Sequence, residues 1–218
     1  MSAPLILAPL ILATGFEPFP SAPLNPTAWL MNRLGEEGWT PEGARLALRT
    51  LPTTYDVCEA ALLPLVEGLK PAAIVQFGLS ARATGVTLER TALNMQTTAR
   101  PDAAGGFAAT PWIDPLGPAT RASGLPLAAI AAALATEGLA HDWSDSAGDY
   151  MCNLVFYRCR IARPDAPTGF IHLPYTIPMQ AEAIAAGAPQ PAGVPMSETD
   201  MLAAAKIVLQ TVANALHG

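Results

Sequence analysis

Short apolar runs alternate along this chain with longer segments of helical periodicity, and this alternation constrains the fold more than any other feature. Strands are predicted at residues 5–13, 44–51, 72–77, 141–144 and 168–173. Helices are predicted at residues 26–34, 55–69, 125–137 and 150–162, and from residue 197 or 199 to residue 216. Strands that alternate with helices are typical of an α/β fold. We expect a single domain over residues 1–218, with a twisted, largely parallel sheet flanked by helices on both faces.

A few segments do not fit this alternation. Residues 84–94 are interpreted as an extended segment or a hairpin, and residues 100–123 are rich in Gly, Pro and Asp, which predicts a long loop. Long loops inside compact domains are often functional. The Pro-rich stretch 186–195 is interpreted as a surface loop, because a helix follows it. The apolar N-terminus lacks a basic region and passes into a Thr-Gly turn, so we interpret it as a buried strand and not as a signal peptide.

Charge and hydrophobicity exclude several classes of protein. Hydrophobic residues make up 51% of the chain and charged residues 14%, which suits a packed core and not a disordered chain. The formal net charge of −6, with no basic cluster, argues against nucleic acid as a partner. No apolar run reaches the roughly 18–20 residues that cross a membrane, so no membrane partner is expected.

The three cysteines show neither a CxxC pair nor zinc-ligand spacing with the histidines. They predict reduced thiols, a cytoplasmic location and no metal site. Cys58 lies beside Glu59, whose negative charge disfavours a thiolate. Cys159 follows Cys152 by two helical turns on roughly the same face, where we expect it to pack.

Cys152 and His172 form the most informative pair of residues. Cys152 lies near the start of the predicted helix 150–162, where free N–H groups and partial positive charge favour both a thiolate and a developing oxyanion. His172 lies at the end of a predicted strand, and ligands in open α/β sheets bind beyond the carboxyl ends of strands. The pair is consistent with a cysteine nucleophile and its base. The residues alone equally allow a buried structural Cys and a core His.

Two acids and two aromatic residues could complete such a site. Glu89 in GVTLERTALN and Asp102 in ARPDAAG could orient the histidine, or could form an ion pair and a turn. Phe16 and Phe19 in TGFEPF follow the first strand, where they could line a small apolar pocket or pack beneath the loop.

One ordered set of motifs covers about residues 12–180: ATGFEPFPSAPLNP, GLSARATGVTLERTALN, ARPDAAG, SAGDYMCN and GFIHLPY. Together and in this order they resemble the pyroglutamyl peptidase I family, also called pyrrolidone-carboxylate peptidases. Each motif alone is weakly specific, whereas five in order are strongly specific.

The resemblance implies a cysteine exopeptidase that removes N-terminal pyroglutamyl residues from peptides through a thioester. The implied site comprises catalytic Cys152, His172 and Glu89, with Phe16, Phe19 and Asp102 in substrate-binding or supporting roles. It also implies that no metal or organic cofactor is needed, and that the chain assembles as a homodimer or homotetramer.

Three departures from the family pattern bear on activity. Pro20-Ser21 stand where the family commonly has Gly-Gly, and Arg100 lies one position later than the family's Arg. Asp149 stands three residues before Cys152, where a Thr is common, and its charge disfavours a thiolate. These departures motivate an alternative, a non-catalytic pyroglutamate- or lactam-binding protein on the same fold. A third possibility is a hydrolase or transferase for another lactam or amide.

Overall fold

A computed structural model describes residues 7–19, 23–187 and 190–218, and eight strands and six α-helices lie within them. The strands are β1 (Leu10–Phe16), β2 (Arg45–Leu51), β3 (Ala73–Leu79), β4 (Val86–Glu89), β5 (Thr91–Leu93), β6 (Thr120–Ala122), β7 (His141–Ser144) and β8 (Thr168–Leu173). The helices are α1 (Pro26–Glu36), α2 (Leu63–Leu69), α3 (Leu127–Thr136), α4 (Met151–Ala162), α5 (Ile177–Ala185) and α6 (Glu198–Ala215). A π-helical segment, Cys58–Leu62, leads into α2.

Six of the described strands form the main sheet, in the order β2-β1-β3-β8-β4-β7. Strands β2, β1, β3 and β8 run parallel, whereas β4 is antiparallel to β8 and β7 is parallel to β4. The predicted α/β class and largely parallel sheet are therefore confirmed, with one reversal of direction between β8 and β4. Strands β5 and β6 pair separately as a small antiparallel ribbon.

Each face of the main sheet has its own apolar core. Successive side chains on a strand point to opposite faces. On β1, Ile11 and Ala13 join a cluster with residues of α1, α3 and α6, whereas Leu12 joins a cluster with residues of α2 and α4. Helices thus cover both faces of the sheet, as predicted from the sequence.

The N-terminal half differs from the prediction in two ways. The first strand is shifted, because β1 begins at Leu10 and continues to Phe16. Residues 5 and 6 of the predicted strand lie outside the described residues. The helix predicted over 55–69 begins later than expected. Its first regular part is the π-helical segment Cys58–Leu62, and the α-helix α2 follows it. Among the described residues, no helix is both long and apolar enough to cross a membrane.

The middle and C-terminal parts also differ from the prediction. Residues 84–94 form β4 and β5, which join different sheets instead of pairing as a hairpin. The predicted loop 100–123 contains β6 at its end. Helix α5 was not predicted, although Thr176 caps it by accepting a hydrogen bond from the Met179 N–H at 3.4 Å. Residues 188 and 189 of the predicted loop 186–195 lie outside the described part of the chain.

The junction between β1 and α1 places the first aromatic residue of the candidate site. Asn25 caps α1, because its side-chain oxygen accepts from the Thr27 N–H at 3.1 Å. The Thr27 hydroxyl in turn accepts from the Phe16 N–H at 2.9 Å, which ties the end of β1 to the helix. A Cβ at Gly15 would lie 2.6 Å from the Thr27 carbonyl oxygen. Only glycine therefore permits this close approach.

Replacement of Gly15 by Ala is expected to push β1 away from α1 and to lower the free energy of unfolding by about 1–3 kcal/mol. The matched control is Gly68→Ala in α2, where a Cβ would meet no atom within 4 Å. That control should raise stability by about 0.5–1 kcal/mol, because alanine favours helix more than glycine does. Urea unfolding measures both, and equal midpoints for the two variants would contradict the close approach at Gly15.

Candidate active site

A cavity of about 710 Å³ opens where β1, β3 and β8 end and α4 begins. This volume lies within the range of about 300–1,000 Å³ that is usual for small-molecule sites. The cavity is lined by five of the six site residues predicted from the sequence, namely Phe16, Phe19, Glu89, Cys152 and His172. The sixth, Asp102, lies outside its lining.

The antiparallel pairing of β4 with β8 brings Glu89 to His172. His172 pairs with Thr87 across the two strands, and Glu89 lies two positions further along β4 on the same face. Such diagonal neighbours are within reach of long side chains. The His172 Nδ1 donates a hydrogen bond to the Glu89 Oε1 at 2.7 Å, and both side chains are buried. Because Nδ1 is engaged, the ring leaves Nε2 for the sulfur of Cys152.

Cys152 is the second residue of α4 and is half-buried, with its sulfur against β3. Gly78 on β3 pairs with His172 on β8, and a Cβ at Gly78 would lie 2.9 Å from the Cys152 Sγ. The same Cβ would lie 2.5 Å from the Phe170 ring. The absence of a side chain at Gly78 therefore leaves the space in which the sulfur approaches the imidazole.

The imidazole of His172 is favoured in its charged form. Burial alone would lower the pKa of His172, but the charge of Cys152 and hydrogen bonds to Cys152 and Glu89 outweigh it and raise the pKa to about 9. The ring thus lies buried between a carboxylate and a sulfur, and contacts with both favour its charged form. This arrangement is suited to a thiolate–imidazolium pair.

The other two cysteines are buried and lie outside the cavity lining. Burial, with a smaller contribution from the charge of Glu59, raises the pKa of Cys58 to about 12. Burial also raises the pKa of Cys159, which packs into the core beneath α4. The prediction that Cys159 packs is confirmed, and Cys152 is the one cysteine of the three that is not fully buried.

The first turn of α4 is fixed by the residue that follows the cysteine. Asn153 is fully buried, and its side-chain oxygen accepts from the Leu93 N–H at 2.8 Å. Its amide nitrogen donates to the carbonyl oxygens of Leu93 and Met95, each at 2.8 Å. The helix start is therefore tied to β5. The role of Asn153 was not predicted from the sequence, although an amide side chain directly after the cysteine, in an otherwise apolar segment, indicates a buried hydrogen-bonding residue.

The two predicted aromatic residues lie on the opposite wall of the cavity from β4. Phe16 is almost fully buried at the end of β1, and the Phe19 ring centroid lies 6.4 Å from that of Tyr150, the residue that precedes α4. Tyr150 also lines the cavity and was not singled out from the sequence. The departure at Pro20-Ser21 lies outside the described residues.

Asp102 shapes the loop over residues 97–106 instead of facing the imidazole. One carboxylate oxygen accepts from the Tyr55 N–H at 2.9 Å. The other accepts from the backbone N–H groups of Ala104 and Gly106, at 2.9 and 2.7 Å. Its contacts are those of a turn-forming aspartate. The described residues contain no group of three or more His, Cys, Asp or Glu side chains arranged to hold a metal ion.

Comparison with known proteins relates this geometry to one family. The family model described as pyroglutamyl peptidase matches residues 10–215 of the chain. The pyrrolidone-carboxylate peptidase of Enterobacter sp. (strain 638) is 34% identical over 207 residues, which cover 93% of this chain and 92% of that protein. The pyrrolidone-carboxylate peptidase of Pseudomonas fluorescens (strain SBW25) is 33% identical over 168 residues, which cover 76% of this chain and 78% of that protein.

Solved structures give the same relationship. A mutant pyrrolidone carboxyl peptidase from the hyperthermophile Pyrococcus furiosus superimposes with a TM-score of 0.86 at 29% identity, covering 95% of this chain and 99% of that chain. Pyroglutamyl peptidase I from Bacillus amyloliquefaciens superimposes with a TM-score of 0.82 at 28% identity, covering 94% of this chain and 97% of that chain.

Replacement of Gly78 by Ala is expected to displace the Cys152 sulfur from the imidazole. The variant should lose about 1–3 kcal/mol of stability through overpacking against Phe170, and its thiol should react more slowly with iodoacetamide at neutral pH. Labelled peptides are quantified by mass spectrometry, with Gly68→Ala as the control for a Gly-to-Ala change elsewhere. Unchanged alkylation together with unchanged stability would contradict the proposed role of the space at Gly78.

Proposed function

Because the chain belongs to the pyroglutamyl peptidase family, we propose that it is a cysteine exopeptidase that removes N-terminal pyroglutamyl residues from peptides. The observation that carries this proposal is the convergence of Cys152, His172 and Glu89 on one cavity, with the imidazole hydrogen-bonded to the carboxylate. A thiol, a base and an acid in this relation are the parts of a nucleophilic triad.

The proposed reaction begins with the Cys152 thiolate. The sulfur attacks the pyroglutamyl carbonyl carbon, and the tetrahedral intermediate collapses as the His172 imidazolium gives its proton to the leaving amine. The neutral imidazole then takes a proton from water, whose oxygen attacks the thioester. The C–S bond breaks, free pyroglutamate leaves, and the thiolate–imidazolium pair is restored. Glu89 holds the ring orientation and stabilises its positive charge throughout.

The start of α4 supplies oxyanion donors in this proposal. The leading N–H groups of a helix have no intrahelical acceptor, and Tyr150 provides no side-chain cap to α4. These groups lie beside the sulfur of Cys152 and carry the partial positive charge of the helix. They can therefore receive the negative charge that develops on the carbonyl oxygen.

The aromatic wall of the cavity supports selectivity for a pyroglutamyl ring. Phe16 and Phe19 present apolar surface to a small lactam that carries no charge. An ordinary peptide would bring an N-terminal ammonium group to the same surface and would lose its hydration there. We infer that this desolvation cost favours the lactam over a free N-terminus.

The non-catalytic alternative is not favoured, because family membership and the complete set of three groups both support a peptidase. Asp102 takes a supporting role in the proposal, through the loop that it shapes. A cytoplasmic location and a homodimer or homotetramer remain predictions from the sequence.

The proposal is tested with a chromogenic pyroglutamyl amide. The wild-type chain should release the chromophore, and Cys152→Ser should lower the rate by about a thousandfold or more, because the hydroxyl is a far weaker nucleophile. Cys58→Ala is the matched control and should retain activity within about twofold, since its thiol lies outside the cavity. Absence of turnover by a folded wild-type chain whose Cys152 is alkylated readily would refute the peptidase function.

The pH dependence of the reaction tests the role of His172. Its pKa is raised to about 9, so the imidazolium needed by the leaving amine is lost as pH rises, and kcat/KM should fall through about pH 9. Glu89→Gln removes a charge that favours the imidazolium. It should move this alkaline limb to lower pH and reduce kcat by roughly 10²- to 10⁴-fold.

Glu36→Gln is the control for this experiment, because Glu36 is exposed on α1 and lies outside the cavity lining. It should leave the pH profile unchanged. An alkaline limb that stays in place in Glu89→Gln would show that Glu89 does not act on His172.

A further inference from the structure

Two opposite charges meet at the rim of the cavity that holds Cys152. The Arg100 Nη2 lies 3.8 Å from the Asp149 Oδ1, and the two side chains are 53% and 50% exposed. Both residues line the cavity. An ion pair at this exposure contributes little to folding stability. Its significance depends on what the two charges do to the neighbouring sulfur.

The guanidinium of Arg100 is held in place by more than its ion pair. It lies over the Tyr150 ring, 3.7 Å from the ring centroid. The backbone carbonyl of Arg100 accepts a hydrogen bond from the Tyr55 hydroxyl at 2.9 Å. The positive charge is therefore fixed beside the residue that precedes α4.

The segment that carries Asp149 is joined to the same loop. The Thr97 N–H donates to the Asp149 carbonyl oxygen at 2.7 Å, and the Tyr150 hydroxyl donates to the Pro101 carbonyl oxygen at 2.9 Å. Loop 97–101 and the approach to α4 thus form one connected unit. These backbone and side-chain contacts hold the charges of Arg100 and Asp149 next to each other.

Asp149 has two opposite effects on α4. A carboxylate just before a helix interacts favourably with the positive end of the helix dipole. The same negative charge opposes a thiolate at Cys152, three residues later, which depends on that positive end. The positive charge of Arg100 beside Asp149 reduces the second effect, because it offsets part of the field of the carboxylate at the sulfur.

We propose that Arg100 is a positioning residue that neutralises Asp149 and so preserves the reactivity of the Cys152 thiol. This inference rests on the proposed function only in taking the thiolate as the nucleophile. Other charged or titratable groups also face the cavity, namely Arg82, Glu89, Asp142, Tyr150 and His172. None of them is altered by the variants used to test the proposal.

A double-mutant cycle measures the coupling between the two charges. Arg100→Gln, Asp149→Asn and the double variant are compared with the wild type in the pH dependence of iodoacetamide alkylation at Cys152. Arg100→Gln should move the midpoint up by about 0.5 pH unit, which is about a threefold loss of rate below the midpoint. Asp149→Asn should leave the midpoint at or below the wild-type value, and the double variant should return to within about 0.2 pH unit of Asp149→Asn.

Three further variants make the result specific. Arg100→Lys keeps the charge and should stay close to the wild-type midpoint, whereas Arg33→Gln on α1 is a control for loss of a surface charge. Cys152→Ser should take no label, because Cys58 and Cys159 are buried. Peptide mass spectrometry assigns the modified residue in each case.

Three results would overturn the proposal. An upward shift of equal size in the Asp149→Asn background would mean that Arg100 acts on Cys152 directly. An unchanged midpoint in Arg100→Gln would mean that Arg100 does not affect the thiol, and a raised KM for the peptide would then assign it to substrate binding. A shift in Arg100→Lys as large as that in Arg100→Gln would exclude a role for the charge.

Alkylation reports the thiol whether or not peptides are cleaved. A wild-type chain that labels readily but releases no pyroglutamate would contradict the proposed function and leave the coupling measurable.

Discussion

The hydrogen bond between His172 and Glu89 is the interaction on which the rest of the site depends. A carboxylate this deeply buried needs a partner, and removing one member of such a pair typically costs about 3–5 kcal/mol. The bond also occupies Nδ1 of His172, so Nε2 is the ring nitrogen left to face the sulfur of Cys152. It exists because β4 runs against β8, which makes the two residues diagonal neighbours on one face. The one reversal of direction in the main sheet is therefore the constraint that creates the site.

The position of Cys152 is determined from three sides. Asn153 ties the first turn of α4 to β5, the bare Cα of Gly78 lets the sulfur approach β3, and Tyr150 joins the helix start to the loop that carries Arg100. Each of these contacts is short and specific, whereas the apolar clusters on the two faces of the sheet supply non-directional stability. The cores hold the elements together, and the polar contacts set the distances at which chemistry can occur.

Much of this could be predicted from the sequence, for reasons that individual residues make plain. Strands β7 and β8 have the predicted bounds, and the Asn25-Pro26 start of α1 was predicted from its capping chemistry. The grouping of Cys152, His172 and Glu89 was implied by the family resemblance that the ordered motifs carry. The direction of β4 could not be predicted from the sequence, because its antiparallel pairing with β8 joins segments that are distant in the chain. For Asp102 the sequence left a turn and a contact with the histidine as alternatives, and hydrogen bonds from backbone N–H groups to its carboxylate favour the turn.

The long separation in sequence between His172 and Glu89 has a consequence for biosynthesis. His172 and Glu89 are 83 residues apart, and their strands are neighbours only after the crossover through α4 is complete. Contacts this non-local form late and slowly in folding. A nascent chain that has emerged only as far as Cys152 would carry the proposed nucleophile without its proposed base. In the proposed mechanism, hydrolytic activity would then arise only after the chain has been translated beyond His172.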